Sequence, residues 1–145
     1  MKVKVTPSKV HENVKIPASK SMAHRALICA SLSDGTSIVS NVTNSKDIEA
    51  TVGCMKALGA KIKQIDETTY EVTGTNLFEQ EGNITCNANE SGSTLRFLIP
   101  LAACTNAKVK FLGQGRLLQR PMDVYENEFK EQNIEFNQSD KEINV

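Results

Sequence analysis

Two stretches of the chain superimpose on one another, and this limits its possible folds more than any other feature. The segment SKSMAHRALICASL aligns with ESGSTLRFLIPLAA so that Arg25 falls on Arg96, an offset of 71 residues. At the same offset TSIVS (36–40) falls on AKVKF (107–111). The helical pattern from Asp47 to Leu58 then lies near Met122 to Lys130, and the closing pair KIKQID and TYEVTG falls on NIEFNQ and KEINV at offsets of 71 to 73. Independent elements sharing one period imply two copies of a supersecondary unit. Each copy reads β-α-β-α-β-β, one over about 1–75 and the other over about 82–145.

Local signals set the helix ends. Ser21 is the expected cap of the first helix, whose Ala26, Leu27, Ile28, Ala30 and Leu32 leave almost no polar face, and Asp34-Gly35 ends it. The second helix opens at Asn44/Ser45 and stops at Gly59. A third opens at Ser91-Gly92-Ser93 and runs through Leu101, with Pro100 as an internal irregularity. Pro121 suits the first position of a fourth, directly after Arg120.

Helices apolar nearly all round are normally buried, whereas Lys61-Ile62-Lys63-Gln64-Ile65 alternates as a strand with one wet face does. The expected class is therefore α/β with helices inside and sheets outside, the inverse of a doubly wound dinucleotide fold. No G-x-G-x-x-G is present to argue otherwise.

Composition excludes several functions. The 17 Lys+Arg balance 17 Asp+Glu, so no basic excess exists to bind nucleic acid or an anionic membrane. The longest apolar run, Phe97 to Cys104, is far shorter than the roughly 20 residues of a membrane span, and MKVKVTPSKV does not resemble a secretory signal. These features read as cytoplasmic. Cys29, Cys54, Cys86 and Cys104 form no C-x-x-C pair and have only two histidines to join them in a metal site, so reduced packing residues are expected.

The chemistry concentrates at helix starts. Lys20, Ser21 and Arg25 can present an ammonium, a hydroxyl, a guanidinium and free backbone N–H groups on one face, a site for phosphate or carboxylate. They read equally as a cap flanked by two solvated cations. In the second unit Glu90-Ser91-Gly92-Ser93-Thr94 occupies the same place, with a glycine that lets a ligand approach the backbone and Arg96 four residues later; a serine-rich cap explains it nearly as well. Arg120 puts a cation against a helix dipole, which gains no stability and so points to a ligand, although a surface arginine in GQGRLLQRP is the alternative. Asp47 either pairs with Lys20 or complements the dipole of its own helix, the latter being favoured. His24 is expected on a helix surface and His11 in a loop.

P-A-S-K-S-x-x-x-R-A-L, then S-G-S-T-x-R-F, then L-x-R-P-M together resemble the enolpyruvyl transferases, in the branch that acts on shikimate 3-phosphate. The resemblance covers essentially the whole chain. It implies transfer of the carboxyvinyl group of phosphoenolpyruvate to the 5-hydroxyl of shikimate 3-phosphate through a tetrahedral intermediate that expels phosphate, with no cofactor. By motif position, Lys20, Ser21 and Arg25 contact shikimate 3-phosphate, while Lys20, Gly92 and Arg120 contact phosphoenolpyruvate.

The chain also departs from the family pattern. Many relatives carry Asn-Ala-Gly-Thr where this chain has Glu90-Ser91-Gly92-Ser93. Family members resemble two domains of three such units each, so a third unit and the opposing domain with its acid/base carboxylates are missing here. The resemblance thus implies a partial N-terminal domain that binds ligand weakly and does not turn over, from a monomeric enzyme. It assigns Lys2 to Val5 to the opposing domain. The sister branch acting on UDP-N-acetylglucosamine has Lys-Asn in place of Lys20-Ser21 and a reactive cysteine shortly before the arginine matching Arg120, yet no cysteine lies between Cys104 and Arg120. A non-catalytic folding or association domain is the remaining alternative.

Overall fold

The computed structural model describes residues 2–7, 9 and 16–145, so His11 lies outside it. Helix α1 spans Lys20–Leu32, followed by β1 (Thr36–Val39), α2 (Lys46–Ala57), β2 (Lys61–Gln64) and β3 (Tyr70–Thr73). The second half runs β4 (Glu81–Asn87), α3 (Gly92–Ala102), β5 (Asn106–Leu112), α4 (Asp123–Glu131), β6 (Asn137–Gln138) and β7 (Glu142–Asn144). Single 3-10 turns precede β4 (Leu77–Glu79) and α4 (Leu117–Gln119).

The strands form two sheets, ordered β1-β3-β2 and β4-β5-β7-β6. In the first, β3 lies antiparallel between β1 and β2, with Thr36 opposite Thr73 and Ile62 opposite Val72. The second repeats this ladder as β5-β7-β6, with Phe111 opposite Ile143, and adds β4 parallel to β5. Among the described residues no strand precedes α1 to play the part of β4. Lys2–Val5 is irregular, with Val3 and Val5 exposed, so the strand expected to open the first unit is not seen there.

Both sheets turn alternate residues inward. Ile62, Tyr70, Val72, Cys86, Val109, Phe111 and Ile143 join Leu27, Ile48, Met55, Leu95, Leu98 and Ile99 of the helices in one core, while Lys61, Lys63 and Lys108 face water. Helices α1, α2 and α3 pack on one another between the sheets, which is the inside-out layering the periodicity predicts. Burial of α1 is incomplete, because Met22, Arg25, Ala26 and Cys29 form an exposed face. Cys104 is exposed as well, whereas Cys54 and Cys86 are buried, and all four thiols are free. The neighbouring Cys86 and, after it, burial push the Cys54 thiol pKa up, so it stays protonated as a core residue.

Capping follows the sequence at α2 and α3, where the Ser45 and Ser91 hydroxyls accept from the N–H of Ile48 and Thr94. Gly59 ends the α2 segment with φ +101°, a conformation that favours glycine. Two predicted starts are displaced. Ser19, rather than Ser21, caps α1, accepting from Met22 N–H at 3.3 Å. Helix α4 begins at Asp123 behind Met122, so Pro121 lies outside it and Arg120 closes the preceding 3-10 turn instead.

Pro100 lies inside α3, and its missing N–H leaves the Arg96 carbonyl without its helical donor. The Tyr125 hydroxyl of α4 donates to that carbonyl at 2.9 Å. Burial raises the Tyr125 pKa against the opposing pull of Arg96, keeping the phenol protonated as this bond requires.

Candidate functional site

Packing α1, α2 and α3 side by side brings their N-terminal turns to one edge of the core. There Asp47, Glu90, Gly92, Ser93, Arg96, Phe97 and Arg120 line an open cavity of about 370 Å³. Lys20 borders it through Asp47, whose Oδ2 accepts from the Lys20 ammonium at 2.6 Å. Asp47 thus pairs with Lys20 while also standing in the first turn of α2, so the two roles weighed from the sequence coexist. Both partners are partly exposed, and a pair of this kind contributes about 0.2–1 kcal/mol, enough to orient the ammonium but little for the fold.

Arg25 is fixed at two points. Its Nη1 donates to the Ser21 carbonyl at 2.9 Å, and its guanidinium carbon lies 4.7 Å from the centroid of Phe97, within cation–π range. Phe97 is a site residue the sequence reading missed, since an aromatic in an apolar helix reads as core. Ser21 is exposed in the second position of α1.

Arg120 lies against the N-terminus of α3. A Cβ on Gly92 would stand 2.5 Å from Arg120 Nη1, so only glycine permits the guanidinium this close to the backbone. The expectation of a cation at a helix N-terminus holds, but the helix is α3 and not the one that follows Arg120 in sequence. Gln138 fastens the loop from β6, its Nε2 donating to the carbonyls of Leu118 at 2.6 Å and Arg120 at 2.9 Å. Glu90 packs across the turn, and a Cβ on Gly115 would meet its Oε1 at 2.5 Å.

Three residues lie deeper than the sequence suggests. Ser91 is buried as the α3 cap, and Thr94 is fully buried with its hydroxyl turned into the helix interface, away from the cavity. His24, expected on a surface, is also fully buried. Its Nδ1 lies 2.7 Å from Thr51 Oγ1, while Nε2 has no partner. Burial lowers its pKa below the ordinary imidazole value, with Lys20 and Arg25 adding to that effect and Asp47 opposing it.

The site therefore gathers Lys20, Arg25, Arg96 and Arg120 around exposed helix starts, with Asp47 and Glu90 between them, an arrangement suited to a ligand carrying several negative charges. Among the described residues no group of three His, Cys, Asp or Glu side chains is placed to hold a metal ion. No described helix is long and apolar enough to cross a membrane.

Residues 5–145 match the family model of EPSP synthase (3-phosphoshikimate 1-carboxyvinyltransferase). The chain is 46% identical over 144 residues to the 3-phosphoshikimate 1-carboxyvinyltransferase of Clostridium perfringens strain SM101, covering 99% of this chain and 34% of that protein. It is 48% identical over 132 residues to the enzyme of the same name from Clostridium kluyveri, covering 91% and 30%. Among solved structures, an EPSP synthase from Acinetobacter baumannii superimposes with a TM-score of 0.78 at 17% identity, over 91% of this chain and 31% of that one, a likeness of fold. The chain spans about a third of the length of the curated relatives it matches.

Proposed function

The chain belongs to the EPSP synthase family, and on that footing we propose that it forms part of the site at which the carboxyvinyl group of phosphoenolpyruvate passes to the 5-hydroxyl of shikimate 3-phosphate. In that reaction the 5-hydroxyl gives its proton to a base as its oxygen adds to C2 of phosphoenolpyruvate, and an acid supplies a proton to C3. The tetrahedral intermediate then loses phosphate from C2 and the proton from C3. Both substrates are phosphorylated carboxylates, so holding them together places several negative charges within a few ångströms and requires fixed cations.

Lys20, Ser21 and Arg25 are assigned to shikimate 3-phosphate, and Lys20, Gly92 and Arg120 to phosphoenolpyruvate. Lys20 is the catalytic candidate, able to bridge the two anions once it leaves Asp47. Arg96, Ser93 and Asp47 complete the wall, while Ser91 and Thr94 support it from behind. The first sequence unit, about 1–75, contributes the starts of α1 and α2, and the second, about 82–145, contributes the start of α3 and the Arg120 loop. The acid/base carboxylates are assigned to the two thirds of the family's length that lies outside this chain. The protein is read as cytoplasmic and the full-length enzyme as a monomer, with no nucleic-acid or membrane partner and no cofactor.

One observation carries this reading: the Arg120 guanidinium seated on Gly92 at the start of α3, in the cavity that Lys20 and Arg25 border. Thermal unfolding with millimolar shikimate 3-phosphate tests it. A ligand that binds only the folded state stabilises by about 2.7 kcal/mol at a hundred times its Kd, a rise of several degrees for a domain this size. The rise should vanish in the Lys20→Ala, Arg25→Ala double variant. No rise in the wild-type chain, or an equal rise in the variant, would refute the assignment.

A further inference from the structure

Four buried polar groups run in file behind the cavity. His24 Nδ1 on α1 lies 2.7 Å from Thr51 Oγ1 on α2, which lies 2.7 Å from Thr94 Oγ1 on α3. Thr94 Oγ1 in turn lies 2.7 Å from Ser91 Oγ, the cap of α3, and 3.2 Å from the Asp47 carbonyl. Each of the four side chains is almost wholly buried. The file joins the three helices that carry Lys20, Ser21 and Arg25, Asp47, and Gly92, Ser93 and Arg96.

The position of the His24 ring proton sets the direction of the file at its first link. With the proton on Nε2, Thr51 must donate to Nδ1, Thr94 to Thr51 and Ser91 to Thr94. That leaves a buried Nε2–H with no acceptor and takes the Thr94 hydrogen away from the Asp47 carbonyl. With the proton on Nδ1, His24 donates to Thr51 and Thr51 to Thr94, whose one hydrogen goes to Ser91 at 2.7 Å with the Asp47 carbonyl at 3.2 Å as a weaker second acceptor. The one hydrogen then left over is that of Ser91, on a hydroxyl that can rotate at the cap end of the file, and the enclosed Nε2 keeps only an unused lone pair. Ser91 Oγ also accepts the Thr94 backbone N–H at 3.2 Å, so the last link of the file is the cap of α3 itself.

We propose that His24 is a positioning residue, an Nδ1–H donor whose relay through Thr51 and Thr94 to Ser91 sets the first turn of α3 and so presents the Gly92 and Ser93 N–H groups and the seat of Arg120. The proposal rests on the reading of this cavity as an anion site. His24 touches no ligand and acts only through Ser91. Asn can also make this donation, because its amide nitrogen can reach the position of Nδ1.

The test uses this chain and its His24→Asn, His24→Leu and Thr51→Val variants, followed by NMR. Long-range proton–nitrogen correlation should show His24 protonated on Nδ1, and a signal from Nε2–H would overturn the proposal. Amide exchange at Thr94 and Leu95 should accelerate about tenfold in His24→Leu and Thr51→Val, the factor expected of one lost internal hydrogen bond, and return close to wild type in His24→Asn. Titration with inorganic phosphate and with shikimate 3-phosphate, read at the Gly92 and Ser93 amides, should show the same order of Kd values. Should His24→Leu fail to fold, Thr51→Val, which keeps the shape and loses only the hydroxyl, carries the comparison. Unchanged exchange in a folded Leu or Val variant, or an Asn variant no better than Leu, would overturn the relay. Wild-type amides that ignore both ligands would refute the anion site, and the exchange rates and tautomer would still decide the relay.

Discussion

Adding one methyl group at Gly92 separates the site's chemistry from the fold's stability. The new Cβ would stand 2.5 Å from Arg120 Nη1, 3.7 Å from its Cζ and 3.9 Å from Leu117 Cδ1. Only the first distance falls inside van der Waals contact, and it belongs to the far end of a flexible side chain, so the guanidinium must retreat by about 1 Å while the backbone stays in place. Gly92 is the first residue of α3 with an ordinary φ, and alanine there gains up to about 1 kcal/mol of helix propensity. Stability should therefore hold or rise slightly. A charge-assisted hydrogen bond is worth about 1.5–3 kcal/mol, so losing Arg120's alignment should weaken phosphoenolpyruvate binding about 10- to 100-fold. The assay is calorimetric titration with phosphoenolpyruvate in the presence of shikimate 3-phosphate, alongside urea unfolding. The decisive control repeats Gly92→Ala in an Arg120→Ala background, where it should have no further effect on affinity. Equal losses in both backgrounds would refute the reasoning, as would a Gly92→Ala chain that is clearly less stable than wild type.

Further outcomes follow from the same geometry. Asp47→Ala should cost less than about 1 kcal/mol in urea unfolding, because the Lys20 pair it breaks is partly exposed, and that loss should shrink as salt is added. Gln138→Ala should cost about 1 kcal/mol by removing two donations, and should loosen Arg120 so that phosphate affinity falls several-fold in calorimetric titration. Folding stability should be full above pH 6.5 and decline as pH falls below it, because the unfolded chain takes up a proton that buried His24 refuses. The limiting slope is about 1.4 kcal/mol per pH unit, and unfolding curves of His24→Asn should lack that component. The lowered carboxylates Asp66 and Glu142 act in a separate window, below their ordinary values of 3.8 and 4.5.

The repeat, the inside-out layering and the Ser45 and Ser91 caps were legible because each rests on a local pattern. Ala18-Ser19-Lys20-Ser21 holds two capping serines two residues apart, and the choice between them falls to tertiary contacts such as that of Lys20 with Asp47. Pro121 carries the right chemistry for a helix start, yet the chain continues through Met122 before α4 begins. From the sequence His24 reads as a surface residue because its polarity outweighs its position, yet it is fully buried. It belongs to a stripe with Ala23, Leu27, Ile28 and Ser31, which the helical period places on one buried face. Thr51 beside Ile48 and Met55, and Thr94 beside Leu95 and Leu98, carry the same signal, and three polar residues on three inward stripes imply that they meet. The seat of Arg120 on Gly92 could not be read this way, since it joins residues 28 positions apart through a loop with no periodicity.

The bond from Tyr125 to the Arg96 carbonyl gives Pro100 a meaning beyond an interruption. A regular helix offers a neighbour no vacancy along its length, because every interior carbonyl is already spoken for. By withholding one donor, Pro100 creates a single socket on α3 at a fixed height, and Tyr125 is the plug that fits it. The thinly buried α4 thus gains an address that grease alone could not provide, since apolar surfaces slide over one another and a lone carbonyl does not. Plug and socket are redundant apart. With Pro100→Ala the helix supplies its own donor and Tyr125→Phe becomes silent, whereas with Pro100 in place the same phenol marks where the last helix of the chain must stop.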